Sequence, residues 1–127
     1  DASKAGSAAA IYERLLDQQT APADLRVEAG YKLGLHLASR AEFQRVGTVW
    51  WPMINGFLLD GTGAGAGALG ANGRYWMSRT LIKLGELLEQ QGKFDQAREA
   101  YELVLKKELP YATLARERIN RAGTAAP

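Results

Sequence analysis

Histidine, cysteine and clustered carboxylates build most hydrolytic, redox and metal sites, and this sequence carries one histidine, His36, and no cysteine. Three and four residues beyond His36 stand Ser39 and Arg40, so no second metal ligand shares its helix face. It reads as a structural or surface histidine. Glu86 and Glu89 lie one helical turn apart and have the spacing of a carboxylate pair for general acid–base work, but a solvated helix face accounts for them more simply. The tract GTGAGAGALGANG, Gly61 to Gly73, contains G-x-G spacing without the preceding strand and the placed lysine that a phosphate loop needs. These residues predict neither an enzyme nor a metal or cofactor site.

Charge and hydropathy narrow the function further. Sixteen basic and 14 acidic residues are interspersed and leave a formal charge of only +2, so the chain lacks the basic footprint of a nucleic-acid binder. No apolar run approaches the roughly 20 residues that span a bilayer, so no integral membrane segment is expected. Asp1 to Gly6 lacks the charged-then-apolar layout of a signal peptide. With 46% hydrophobic residues, one domain with a real core is expected over residues 1–127.

Helical periodicity dominates the chain. Ala8, Ile11, Tyr12, Leu15 and Leu16 predict a lone first helix over residues 7–18. Pro22 and Asp24 suit the first turn of a second helix that carries Leu25, Ala29, Leu33 and Leu37. A third begins near Ala41 with Phe43, Val46 and Trp50 inward, and Pro52 should kink it or stop it at Trp51, with a short new helix after it. Together residues 22–59 form one helix pair, and residues 60–73 read as a glycine-rich loop. Residues 74–109 form a second pair, with Phe94, Ala97, Tyr101, Val104 and Leu105 inward on its second helix. Pro110 opens a terminal helix over residues 110–121, and a frayed tail follows from Ala122. The sum is an all-α chain of about six helices.

The two pairs are related. Leu33-Gly34 aligns without gaps on Leu84-Gly85, Ala41 on Gly92, Phe43 on Phe94, Val46 on Ala97 and Trp50 on Tyr101, a constant offset of 51 residues. In Ser78 to Pro110 the Leu84-Gly85 pair, the turn Gly92, Phe94, Ala97, Tyr101 and the closing Pro110 resemble the tetratricopeptide repeat family. Small Gly85 and Ala97 let the helices of the pair approach, while Phe94 and Tyr101 fill the space between successive pairs. The excess over a unit of roughly 34 residues matches an insertion containing the glycine tract. The first pair departs from the pattern at Gly30, Ala41, Val46 and Pro52. Arg74-Tyr75-Trp76 and the segment from Pro110 to Ile119 look like bacterial cell-envelope members of the family, among them Tol-Pal-associated periplasmic proteins and outer-membrane assembly lipoproteins.

The resemblance implies an α-solenoid of antiparallel helix pairs, a right-handed superhelix acting as a protein-interaction scaffold or adaptor. It favours a periplasmic or envelope location over the cytoplasm. The family's groove positions fall on Glu28, Tyr31, Leu35 and Ser39, and on Arg79, Ile82, Glu86 and Glu89, where a protein or peptide partner would lie. A second apolar feature runs from Trp50 to Leu59, and exposure of Trp51, Phe57 or Leu58 would mark another interface. The alternative function is therefore a self-assembling structural module of a larger envelope protein, associating, for example as a homodimer, through the first helix or the Trp50–Leu59 segment.

Overall fold

A computed structural model describes residues 2–60 and 69–125. Among these residues all regular structure is helical: α1 (Ala2–Asp17), α2 (Ala23–Ser39), α3 (Phe43–Ile54), a π-helical turn (Asn55–Leu59), α4 (Ala71–Gln90), α5 (Phe94–Lys106) and α6 (Ala112–Ala125). The chain divides into two compact units, residues 1–76 and 77–127, with the boundary inside α4.

In the first unit α2 packs against both α1 and α3. Two glycines on α2 permit this. A Cβ at Gly30 would strike Met53 Sδ of α3 and press on Leu16 of α1, and a Cβ at Gly34 would enter the Trp50 indole. The fully buried Trp50 donates its indole N–H to the Gly30 carbonyl at 2.9 Å and stacks on Tyr31 at 5.9 Å between ring centres. Tyr31 also meets Trp76 at 5.5 Å, and Trp76 meets the edge of Tyr75 at 4.9 Å. Asp24 ties the start of α4 to α2 by accepting the Gly70 N–H at 2.9 Å, and its carboxylate fills the space a side chain at Gly73 would need.

In the second unit the Tyr101 ring of α5 lies against Gly85 of α4. The Tyr101 hydroxyl donates to Glu89, whose carboxylate also meets Arg121 of α6 at 3.3 Å. One turn earlier Glu86 pairs with Arg118 at 3.0 Å. Burial pushes the Tyr101 phenol well above its ordinary range, and its bond to Glu89 adds to the shift. The buried Ser78 hydroxyl donates to the Pro110 carbonyl, and α5 packs on α6.

Three helices end in the same way. Ala41, Gly92 and Glu108 adopt left-handed φ of 57°, 76° and 53°. Behind them the N–H groups of Glu42, Lys93 and Leu109 reach back to the carbonyls of Leu37, Leu88 and Val104 at 3.0, 2.9 and 2.9 Å. This six-to-one bond satisfies a carbonyl that the helix end would otherwise strand.

Several sequence expectations need correction. Helix α1 begins at Ala2 rather than Ser7 and ends at Asp17. Pro22 precedes α2 rather than opening it, and its carbonyl accepts the Arg26 N–H. The stop at Trp51 does not occur: α3 runs through Pro52 to Ile54, anchored by buried Trp50, Met53 and Ile54, and the short helix that follows is the π-helical turn. The glycine tract is helical from Ala71, because the Asp24 anchor lets Gly70 accept the Arg74 N–H and start α4 there; residues 61–68 lie outside the described residues. Tyr111, with φ of 68°, delays α6 to Ala112. The tail is helical to Ala125, held by buried Ala122. Ile11, Leu25 and Phe43 are exposed rather than inward.

Candidate functional site

The residues named as a groove are heavily committed within the chain. On α2, Tyr31 is buried in the aromatic stack, and Glu28 holds Lys32 at 2.7 Å, which raises the Lys32 pKa through that hydrogen bond against a smaller cost of burial. Leu35 is half-buried and Ser39 is exposed, its hydroxyl turned back on the His36 carbonyl. On α4, Ile82 is buried and Arg79 is exposed. Glu86 and Glu89 are not a solvated face: their ion pairs with Arg118 and Arg121 join α4 to α6. His36 is half-buried, and among the described residues no cluster of three potential metal ligands occurs.

The first unit instead contains a cleft of about 360 Å³ on another face of α2. Its floor is Arg26, Leu33 and Leu37 of α2. At about 100° per residue these three positions lie within about 40° of one another, and Glu28, Leu35 and Ser39 cluster on the opposite side of the helix. One wall is α1, through Glu13, Leu16 and Asp17. The other is α3, through Arg45, Thr48, Val49 and Met53, with Pro52 and Phe57 at its end.

Each charged group in the cleft has a distinct setting. Arg26 is only 6% exposed; its Nε–H donates to the Leu16 carbonyl at 2.7 Å, closing the end of α1, and its guanidinium lies 4.8 Å above the Phe57 ring. Such a bond satisfies one of the carbonyls stranded at a helix end, and the cation suits the negative end of the helix dipole. Arg45 is held by Glu42 at 3.0 Å. Glu13 and Asp17 are exposed and take part in none of the ion pairs among the described residues. Apolar floor, polar rim and unspent charge suit recognition of another molecule's side chains.

Of the second proposed interface, Trp51, Phe57 and Leu58 are all half-buried, and Phe57 faces the cleft. Sequence reasoning singled out Phe57 but missed Glu13, Asp17, Arg26 and Arg45. The available signal was the pair Glu13 and Asp17, one turn apart on α1 with Arg14 three residues before Asp17, yet their place beside Arg45 in the lining of one cleft depends on helix packing. No family model, curated protein or solved structure matches the chain. Among the described residues no helix is long and apolar enough to cross a membrane.

Proposed function

We propose that this chain is a protein-interaction module, a tetratricopeptide-like solenoid of antiparallel helix pairs that binds a segment of a partner protein. The cleft between α1 and α3 carries the reading, because it combines buried apolar groups with charged groups at an accessible rim. The repeated glycine–aromatic contacts, Gly34 with Trp50 and Gly85 with Tyr101, support the repeat architecture. The resemblance suggests a bacterial envelope setting for such an adaptor.

Selection from a random peptide display library tests the proposal, using the native chain and a Thr48→Trp variant as baits. Thr48 is an exposed wall residue whose hydroxyl donates to the Arg45 carbonyl, so an indole there fills the cleft without entering the core. Peptides enriched by the native chain and lost with the variant are expected. No enrichment by the native chain, or enrichment indifferent to Thr48→Trp, defeats the cleft as the binding site.

Self-assembly is favoured by one observation, the 55% exposure of Ile11 on α1. Sedimentation equilibrium decides it: a dimer dissociated by Ile11→Glu supports assembly through α1, and a monomer at every concentration rejects it.

A further inference from the structure

Resting on the interaction-module reading, we propose that the cleft takes a cationic amphipathic helix of a partner protein, with apolar residues on its floor and lysine or arginine against Glu13 and Asp17. Three observations converge on that occupant. The floor runs from Arg26 to Leu37 along α2, about three helical turns or about 16 Å, which suits a helix laid in a trough better than a single small amine. Its apolar surface comes from Leu33, Leu37, Leu16 and Met53. The third observation is the balance of charge.

Of the two cations that line the cleft, one is ion-paired and the other is buried. Arg26 meets the Leu16 carbonyl and the Phe57 ring, and Arg45 meets Glu42. Glu13 and Asp17 have no counterpart among the ion pairs of the described residues and stand four residues apart on α1, a spacing at which like charges repel. At the exposed rim Glu13 and Asp17 are therefore the charged lining groups without an ion pair; Arg26 beneath them keeps its charge but is only 6% exposed. A cation from a partner relieves the repulsion while its apolar neighbours leave water.

The test uses three synthetic labelled helices and fluorescence anisotropy. One has a leucine stripe flanked by lysines, one the same stripe flanked by glutamates, and one the lysines with the stripe changed to serine. The leucine–lysine helix is expected to bind tightest, with the glutamate helix about tenfold weaker or worse. The serine helix is expected not to bind. A Glu13→Lys, Asp17→Lys double variant should reverse the order of the two leucine helices, and Glu13→Gln with Asp17→Asn should erase the difference; circular dichroism verifies that each variant folds. Equal binding of the lysine and glutamate helices to the native chain overturns the proposal, as does an order unchanged by the double variant.

Failure of this proposal is distinguishable from failure of the broader one. Library peptides that are acidic or neutral, yet displaced by Thr48→Trp, leave an interaction module with a different partner. A native dimer abolished by Thr48→Trp identifies a second copy as the occupant and rejects the cationic helix.

Discussion

At the scale of single residues, the molecule distinguishes glycines that packing requires from others that it does not. A methyl group at Gly34 would enter the Trp50 ring, whereas at Gly47 the nearest side-chain atom is Trp51 Cδ1 at 3.7 Å, an ordinary contact. Overpacking costs about 1–3 kcal/mol, and alanine recovers up to about 1 kcal/mol of helix propensity. Gly34→Ala should therefore lower the unfolding free energy by about 1–2 kcal/mol, while Gly47→Ala should raise it by about 0.5–1 kcal/mol. Urea unfolding of the two variants checks both signs. Tyr101 provides a pH-dependent counterpart. Its phenol is pushed up in the folded chain, so its contribution is fully present below the unfolded value of about 10 and is lost as pH rises beyond it. Tyr101→Phe should flatten the loss of stability above pH about 10 and cost about 1 kcal/mol at neutral pH through the missing bond to Glu89. An unchanged alkaline slope in chemical denaturation would refute the assignment.

At the scale of elements, helix ends expose a difference between the two aligned pairs. Gly92 and Ala41 occupy the same left-handed corner, but only glycine enters that region without strain. Gly92→Ala should cost about 1 kcal/mol, and Ala41→Gly should be neutral to stabilising by up to about 1 kcal/mol, because relief of strain competes with the greater freedom of the unfolded chain. Thermal melts followed by circular dichroism test the contrast. Much of this level was legible in the sequence, since apolar periodicity located six helices and the Gly34–Trp50 and Gly85–Tyr101 positions aligned before any contact was visible. What escaped was set by distant groups. Asp24 fixes Gly70 and starts α4 early, the buried Trp50, Met53 and Ile54 carry α3 through Pro52, and the α4 glutamates find arginines on α6. The cleft escaped for the same reason, since its walls come from helices whose proximity no local pattern encodes.

At the scale of the whole chain, α4 is one uninterrupted helix whose residues 71–76 belong to the first unit and 77–90 to the second. Interrupting a helix means forfeiting its propagation and nucleating again, which is unfavourable. The two units should therefore unfold together, with fluorescence and circular dichroism giving coincident denaturant midpoints; separated midpoints would show two independent cooperative blocks. The comparison is sharp because Trp50, Trp51 and Trp76 all fall in residues 1–76. The aromatic stack described as packing is thus also an optical asymmetry. Light absorbed by tryptophan at the red edge reports on one unit alone, and Trp50, sealed from water, should emit to the blue of half-buried Trp51 and Trp76, so a red shift on unfolding would read the integrity of the three helices around the cleft.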